Sequence, residues 1–196
     1  FIEQPSIFLR WIYPSAMWRI NPQKKSVYLT FDDGPGKHTA RLLGILAKYN
    51  VKATFFGVDS GCYDTMRRIV EEGHTIAIHS IEHDYRTIYA SMDAFFEDLY
   101  ATQAMIYEQT GVKTTLMRFP GGSSNTVSRF NPGVMTRLTQ AVEAAGFQYF
   151  DWNVDSDDGS TYQYFAIIVH HSTIDTDVVV CALSVNANTT EKSNAK

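Results

Sequence analysis

The chain of 196 residues lacks long apolar runs and carries no excess of positive charge. No apolar run approaches the roughly 20 residues that a transmembrane helix needs, so we expect no membrane span. The formal net charge at pH 7 is −4, which argues against a broad nucleic-acid-binding surface. The length suits one domain with a sizeable core, and the sequence contains no internal repeat. We therefore expect one globular domain that is monomeric and has no nucleic-acid partner.

Cysteine is scarce, since Cys62 and Cys181 are the only two and neither stands in a Cys-x-x-Cys or zinc-finger spacing. We expect both thiols to be unpaired and at least partly buried. The alternative is a disulfide between them, which would fit an extracellular setting, but spacing alone does not establish its geometry. The chain also has no initial Met. Because it begins at Phe1, we expect that an N-terminal segment has been removed.

Two adjacent carboxylates, Asp32 and Asp33, follow the apolar run 27–29, and Gly34 and Pro35 then supply a turn. Neighbouring side chains of a strand point to opposite faces, but a turn at the strand end can bring both carboxylates into one site. Two carboxylates held together tend to take different roles. One such division is a metal ligand and a general base. The alternative interpretation is an ordinary surface turn.

Two histidines, His79 and His83, follow another strand-like run at 75–78. Two imidazoles four residues apart can bind one cation, either on a helix face or across a loop at a strand end. A ligand set of Asp, His and His leaves positions open for water and substrate, which is typical of a catalytic metal site. A His pair alone is usually incidental, but a His pair after one strand and an Asp pair after another indicate a metal centre.

A third loop contains Arg118, Pro120 and Gly121, after the run 115–117. Pro120 stiffens the turn, and the glycines of this loop let backbone N–H groups approach a ligand closely. Such an N–H could stabilise an oxyanion, and Arg118 could hold an ionised carboxylate. The alternative is an ordinary strand-exit loop with a surface Arg. An acidic stretch at 151–159 follows a further strand-like run and, taken alone, could be a solvated loop.

Apolar β-like runs alternate with helical patterns along the chain. Strands are predicted at 27–31, 53–57, 75–78, 115–118, 147–150 and 177–180, and helices at 39–49, 63–72, 91–110 and 133–145. Ser91 is the predicted N-cap of the third helix, and Gly111 follows its end. This alternation predicts an α/β fold with a parallel sheet covered by helices. The candidate residues lie at or just beyond strand C-terminal ends, where βα barrels carry their chemistry.

Together, the four loops resemble the NodB-homology polysaccharide deacetylases of carbohydrate esterase family 4. The matching residues are Thr-Phe-Asp-Asp-Gly-Pro at 30–35, His-Ser-x-x-His at 79–83, Arg-x-Pro-Gly-Gly at 118–122 and Asp-x-x-Asp at 155–158. The resemblance implies an irregular, incomplete barrel of the (β/α)7 type within residues 25–196, in which we expect the family's last helix to be missing. We expect the aromatic-rich extension at 1–24 to pack on the barrel.

The resemblance implies a hydrolase that removes acetyl groups from N-acetylated sugars of a polysaccharide, with peptidoglycan favoured and chitin oligomers next. Asp33, His79 and His83 would bind a divalent cation. Zn²⁺ is favoured, and Co²⁺ or Ni²⁺ would suit the same ligands. Asp32 would act as general base on water, oriented by Arg118. The family implies an extracellular or cell-envelope location.

The same resemblance assigns the oxyanion and substrate contacts to Pro120, Gly121 and Trp152. It also places Asp158 among the catalytic residues. The family usually has Trp after the second Asp of Asp-x-x-Asp, whereas this chain has Gly159. Trp152 lies close by in the sequence and would fill the hydrophobic wall.

The general acid is the main departure from the family, in which a His after the last hydrophobic strand donates the proton. Aligned by spacing from Asp158, Leu183 stands there, and leucine cannot transfer a proton. The alternative is His170 or His171, but His170 follows Asp158 by only 12 residues, which leaves little room for the helix expected between two parallel strands. We favour the alignment that places Leu183 in the acid's position, with His170 and His171 then on or near a helix. His170 is the candidate general acid under the second alignment.

Two other functions remain open from the sequence. General acid assistance is worth about 10²–10⁴-fold, so its loss would leave a catalytically impaired relative that binds glycan or metal. The second alternative is a metal-dependent amidohydrolase that acts on a non-sugar amide, which would need a pocket shaped for a small molecule.

Overall fold

β-strands and α-helices alternate along the part of the chain that the structure describes. The computed structural model describes residues 27–152, 154–155 and 178–183, and side chains are described for residues 27–152. The predicted extension at 1–24, together with Asp158, His170 and His171, lies outside the described residues.

The strands of the described residues are β1 (Val27–Gly34), β2 (Thr54–Val58), β3 (Thr75–Ser80), β4 (Leu116–Met117), β5 (Gln148–Tyr149), β6 (Val154–Asp155) and β7 (Val178–Leu183). The helices are α1 (Thr39–Lys48), α2 (Tyr63–Glu71), α3 (Tyr85–Ile88), α4 (Met92–Thr110) and α5 (Val134–Ala144).

The strands form one sheet in the order β5-β4-β3-β2-β1-β7-β6, and every pairing in it is parallel. Parallel neighbours need a crossover connection, which α1, α2, α4 and α5 supply between the first five strands. The order ends at β5 and β6, which do not pair with each other among the described residues. The predicted α/β architecture, an incomplete barrel with a parallel sheet, is therefore confirmed.

The core lies on both faces of the central strands. In β3, the consecutive residues Ile76, Ala77 and Ile78 are all buried, as expected for a parallel strand that is covered on both sides. Helix α4 covers the sheet with a buried stripe that includes Phe95, Leu99 and Ile106. Because these strands are fixed on both faces, their C-terminal ends hold side chains in defined positions.

The predicted caps of α4 are confirmed. The Ser91 hydroxyl accepts a hydrogen bond from the Ala94 N–H at 3.0 Å, and Gly111 ends the helix with φ +73°. Cys62 is a free thiol and partly buried, as predicted, while the side chain of Cys181 lies outside the described residues. Among the described residues, no helix has both the length and the apolar character needed for crossing a membrane.

Several boundaries differ from the sequence prediction. Strand β1 extends to Gly34, beyond the predicted end at residue 31, and β7 extends to Leu183. Strands β4 and β5 are only two residues long. The short α3 and β6 were not predicted, because four-residue and two-residue elements carry too little periodicity to be recognised.

Candidate active site

The two adjacent carboxylates reach one site because β1 is irregular at its end. Asp32 pairs with Phe56 of β2 and Gly34 pairs with Gly57, so the register shifts across Asp33, whose φ is +62°. A residue in the left-handed region interrupts the alternation of side chains along a strand. Asp adopts this conformation more readily than most residues with a side chain. The predicted turn after the strand is therefore a bulge within the strand.

The first carboxylate lies in a buried group that we call the base pocket, formed by Thr30, Asp32 and Arg118. Arg118 Nη1 donates hydrogen bonds to Asp32 Oδ1 at 2.7 Å and to Thr30 Oγ1 at 2.9 Å. Arg118 is 0% exposed and Asp32 is 3% exposed, so the ion pair is shielded from water. A charge-assisted hydrogen bond of this length is among the stronger contacts in a protein.

Contacts on all sides fix the Arg118 side chain. Its Nε donates to the Phe150 carbonyl at 2.9 Å, and its Nη2 lies 3.4 Å from the Asp151 carbonyl. The guanidinium carbon also lies 4.1 Å from the centroid of the Phe56 ring and 5.3 Å from that of Trp152. Cation–π contact and the two carbonyls therefore hold the guanidinium in one place, and with it the orientation of Asp32.

The second carboxylate lies in what we call the cation pocket, formed by Asp33, His79 and His83. Asp33 Oδ1 lies 3.3 Å from His79 Nε2 and 3.1 Å from His83 Nε2. The potential ligand atoms of the three residues all lie within 4.8 Å of one another. One ion can therefore be reached by a carboxylate oxygen and two imidazole nitrogens, which are suitable ligands for Zn²⁺.

A hydrogen bond from His79 links the two pockets. His79 Nδ1 lies 2.9 Å from the Arg118 carbonyl oxygen. Because a carbonyl can only accept, Nδ1 must carry the proton, and in the neutral ring Nε2 then presents a lone pair to the cation pocket. Metal-binding histidines are usually oriented in this way by a bond from the other ring nitrogen.

The polar atoms of the cation pocket fit a bound cation. Asp33 Oδ1 is buried and, among the described residues, has no well-formed hydrogen bond. Burial acts to raise the pKa of Asp33, but the proximity and charges of the two imidazoles outweigh it and hold this pKa below its ordinary range. Burial likewise acts to lower the pKa of His79, whereas Asp33, Asp32 and the Arg118 carbonyl together raise it. A buried oxygen of this kind is satisfied when a cation binds.

The loop after β4 begins with a tight turn. The Gly122 N–H donates to the Phe119 carbonyl at 2.8 Å, Pro120 occupies the second position, and Gly121 has φ +76°. Pro followed by a residue of positive φ defines a type II turn. The Gly121 N–H makes no hydrogen bond to any described residue, and Gly121 is exposed. The turn therefore leaves one backbone donor without a partner among the described residues, at an exposed position.

Two side chains attach this loop to its neighbours. The Tyr89 hydroxyl donates to the Pro120 carbonyl at 2.7 Å. The Asp151 carboxylate accepts from the Ser123 N–H at 2.9 Å and from the Ser123 hydroxyl. The Trp152 ring lies over Gly122, where an added Cβ would be 3.3 Å from Trp152 Cη2. The turn is thus held between the segment after His83 and the end of β5.

The structure brings most of the predicted site residues together at one edge of the sheet. These are Asp32, Asp33, His79, His83, Arg118, Pro120, Gly121 and Trp152. Sequence reasoning missed Tyr89, Asp98 and Ser123, which hold the loops. Each contacts a residue at least 18 positions away, so no local pattern could have indicated them.

The last described strand bears on the general acid. In β7, Leu183 pairs with Asp32 of β1. The next described strand after Asp158 therefore places the backbone of Leu183 level with that of Asp32. His170 and His171, the alternative candidates, lie outside the described residues.

The sequence matches one family model and is similar to several curated proteins. The family model for polysaccharide deacetylase matches residues 19–149. The putative polysaccharide deacetylase YheN of Bacillus subtilis (strain 168) is 35% identical over 141 residues, which cover 70% of this chain and 48% of that protein. A peptidoglycan-N-acetylglucosamine deacetylase of Bacillus cereus is 35% identical over 158 residues, which cover 79% of this chain and 54% of that protein. The chain thus spans about half the length of these curated relatives.

Solved structures show the same fold. The catalytic domain of peptidoglycan N-acetylglucosamine deacetylase from Eubacterium rectale ATCC 33656 has a TM-score of 0.79 and 43% identity, covering 86% of this chain and 80% of that chain. The polysaccharide deacetylase Bc1974 from Bacillus cereus has a TM-score of 0.70 and 30% identity. The match covers 83% of this chain and 80% of that chain.

Proposed function

This chain belongs to the polysaccharide deacetylase family, and we propose that it removes acetyl groups from N-acetylated sugars by metal-dependent hydrolysis. The observation that carries the proposal is the adjacency of two unlike pockets. One holds an ion-paired carboxylate, Asp32, and the other gathers Asp33, His79 and His83 around a position that suits a cation. Hydrolysis of an amide needs both a base for water and a means of stabilising the oxyanion.

We propose the N-acetylglucosamine of peptidoglycan as the first substrate and chitin oligomers as the second. The names of the relatives support this order. Two of the similar proteins are peptidoglycan N-acetylglucosamine deacetylases, from Bacillus cereus and Eubacterium rectale. A chitin deacetylase 2 of Cryptococcus neoformans is 32% identical over 142 residues, covering 71% of this chain and 29% of that protein. A peptidoglycan substrate implies that the protein acts outside the cell or in its envelope.

In this proposal the cation is held by Asp33 and by the Nε2 atoms of His79 and His83. Zn²⁺ is favoured by the mixed N and O ligands, which Co²⁺ or Ni²⁺ would also suit. When bound, a divalent cation supplies Lewis acidity, which polarises a carbonyl oxygen and makes water a stronger acid. The His79 ring is already oriented for this role by its bond to the Arg118 carbonyl.

Asp32 is the proposed base. Its carboxylate takes a proton from the attacking water, and Arg118 keeps it oriented through the 2.7 Å bond from Nη1. The exposed N–H of Gly121 is the proposed donor to the oxyanion that forms on the acetyl carbonyl. Pro120 fixes the turn that presents this N–H, and Trp152 forms an apolar wall beside Gly122. We retain Asp158 as a further catalytic residue from the family resemblance.

A second candidate function, glycan or metal binding with impaired turnover, is favoured by the pairing of Leu183 with Asp32. A leucine in the last strand supplies no proton to the leaving amine. Substituting Leu183→His tests this directly. A rise in the rate of acetate release would support the impaired-enzyme reading. An unchanged rate would point to His170, or to no side chain at all, as the acid.

The main test is acetate release from N-acetylglucosamine oligomers and from peptidoglycan. We expect release with added Zn²⁺ and none after chelation, and Asp32→Asn should remove most of the activity while the protein stays folded. The exposed Lys48→Ala provides a control that leaves both pockets intact. Release that is no greater than the chelated control on every acetylated glycan would contradict the proposal.

A further inference from the structure

Three consecutive backbone N–H groups follow β3, and side chains bind all of them. They belong to Ile81, Glu82 and His83, in the loop that carries the second histidine of the cation pocket. A loop that leaves a strand would normally offer these donors to water. Here they point back at the protein, which restricts the path of the loop.

The acceptor for two of these groups is Asp98, on helix α4. Its Oδ1 accepts from the Ile81 N–H at 3.0 Å and lies 3.4 Å from the Glu82 N–H. The same oxygen accepts from the Ser80 hydroxyl at 3.0 Å. A single carboxylate oxygen on a neighbouring helix thus faces three donors at the start of the loop.

The Ser80 hydroxyl extends this network to the histidine itself. Ser80 Oγ accepts from the His83 N–H at 2.9 Å, and Ser80 is completely buried. An ionised carboxylate can only accept, so the hydroxyl proton goes to Asp98 and a lone pair is left to face the His83 N–H. Asp98 therefore sets the direction of the bond that fixes the His83 backbone.

The His83 backbone needs such a restraint. Its φ is +53°, a left-handed conformation that residues with a side chain rarely adopt. This conformation turns the chain so that His83 Nε2 comes within 3.1 Å of Asp33 Oδ1, beside His79. Without bonds that hold the loop, the relaxed backbone would carry the imidazole away from this position.

Helix α4 is a firm support for Asp98. The buried side chains of Phe95 and Leu99 anchor the same turn of the helix, and the Thr102 hydroxyl donates to the Asp98 carbonyl at 2.7 Å. A ligand held from a packed helix is placed more accurately than one that depends on its own loop.

We propose that Asp98 is a positioning residue that, through Ser80, holds His83 in the geometry required for binding the cation. The inference rests on the proposed function insofar as it names a cation as the ligand. Residues that hydrogen-bond to metal ligands without touching the metal usually lower metal affinity by about 10–100-fold when they are removed. Asp98 itself touches neither the cation position nor the base pocket residues in any described contact.

The test uses three variants of the whole chain. Asp98→Ala removes the acceptor, and Asp98→Asn keeps an oxygen acceptor without the charge. The control is Glu97→Ala, which removes an equal charge from the adjacent, exposed position of α4. For each variant, amide hydrogen exchange of residues 81–83 is measured in the metal-free protein, and the Zn²⁺ dissociation constant is measured by calorimetry.

We expect Asp98→Ala to accelerate exchange at Ile81, Glu82 and His83, while the amides of β2 keep their wild-type rates. Zn²⁺ affinity should fall about 10–100-fold, with Asp98→Asn intermediate and Glu97→Ala unchanged. Acetate release by Asp98→Ala should recover at saturating Zn²⁺, because the defect lies in binding the cation. A merely structural contact would instead raise exchange throughout β3 and α4 and would not be rescued by Zn²⁺.

Two results would overturn the inference. One is exchange at residues 81–83 that is no faster in Asp98→Ala than in Glu97→Ala. The other is a wild-type Zn²⁺ dissociation constant in Asp98→Ala. If the wild-type protein binds no Zn²⁺, the proposed function fails, while the exchange comparison still decides whether Asp98 holds the loop.

Discussion

The base pocket and the cation pocket contain neighbouring carboxylates, yet they are completed in different ways. In the base pocket, Asp32 meets a permanent cation of the protein, the Arg118 guanidinium, at 2.7 Å. In the cation pocket, Asp33 meets two imidazoles at 3.1 and 3.3 Å, and its buried Oδ1 lacks a well-formed hydrogen bond among the described residues. One carboxylate is thus satisfied by the fold itself, whereas the other suits a cation from solution.

This difference shows how one dipeptide can contribute to two unlike pockets. The left-handed conformation of Asp33 turns its side chain toward His79 and His83, while Asp32 continues the regular strand toward Arg118. We infer that the partner of each carboxylate determines the role proposed for it. An ion-paired carboxylate is held in one orientation, whereas a carboxylate beside two imidazoles can serve as a cation ligand.

The largest effect that separates the pockets is expected from Asp32→Asn. Loss of a general base costs about 10²–10⁴-fold in turnover. Because Asp32 contributes no ligand atom to the cation pocket, Zn²⁺ affinity should stay close to the wild-type value. Steady-state acetate release and Zn²⁺ calorimetry on the same preparation check both parts.

The matched variant is Asp33→Asn, for which calorimetry should show weaker Zn²⁺ binding than in the wild-type protein and in Asp32→Asn. It removes the charged ligand, so Zn²⁺ affinity should fall, and activity should fall with it. If Asp32→Asn weakened Zn²⁺ binding as much as Asp33→Asn does, the two pockets would not be functionally separate.

The next largest effect concerns the stability of the base pocket. Arg118→Met leaves Asp32 buried without its partner, and breaking a buried ion pair in this way costs about 3–5 kcal/mol. Adding Asp32→Asn to this variant should recover part of the loss, because the uncompensated charge is then removed. Urea denaturation of the two single variants and the double variant gives the coupling free energy.

The exposed Arg41→Met is the control for loss of an arginine, and it should change the free energy of unfolding by no more than about 0.5 kcal/mol. An Arg118→Met variant as stable as Arg41→Met would mean that the ion pair does not hold the base pocket together.

From strand placement, the sequence predicted that these residues share one edge of the sheet, because the C-terminal ends of parallel strands meet there. The pairing of Arg118 with Asp32 was implied by the family resemblance, and Thr30 was not predicted as its partner. It did not predict the bulge at Asp33, since a positive φ in Asp depends on the register with β2 and not on neighbouring residues. The same limit applies to Asp98, whose contacts with Ser80 and Ile81 form only when α4 packs on β3. Long-range contacts of single polar side chains leave no periodic pattern.

A smaller effect, specific to the cation pocket, is expected from pH. Burial acts to lower the pKa of His79, but its interactions with Asp33, Asp32 and the Arg118 carbonyl raise it. A histidine with a raised pKa stabilises the fold fully below its unfolded pKa of about 6.5, and this contribution is lost as pH rises through the folded pKa. The metal-free protein should therefore lose stability as pH rises above about 6.5.

Stabilisation by Zn²⁺ should change in the opposite direction over the same range, because the cation has to displace the proton from His79. Melting temperatures with a chelator and with Zn²⁺ between about pH 6 and 8 test both trends. His79→Asn should remove the pH dependence that is specific to the metal-free protein. The prediction would be contradicted if the melting temperature of the metal-free wild-type protein rose over this pH range. It would also have to follow the same pH trend in metal-free His79→Asn.

The smallest effect concerns the loop beside the base pocket. Gly122 has φ +83°, and an added Cβ would lie 3.3 Å from Trp152 Cη2. Gly122→Ala therefore combines a left-handed backbone, which costs on the order of 1 kcal/mol, with crowding of the ring beside Arg118. We expect a loss of stability slightly above that backbone cost, measured by urea denaturation, and a modest fall in turnover without a change in Zn²⁺ affinity.

Two other glycines separate these contributions. Gly111 has φ +73° with no atom within 4 Å of an added Cβ, so Gly111→Ala carries the backbone cost alone. Gly44 lies within α1 with open space around it, and Gly44→Ala should stabilise the protein by about 0.5–1 kcal/mol. The excess destabilisation of Gly122→Ala over Gly111→Ala then measures how tightly Trp152 closes the base pocket. Equal values for the two variants would show that Trp152 moves aside freely and does not fix Arg118.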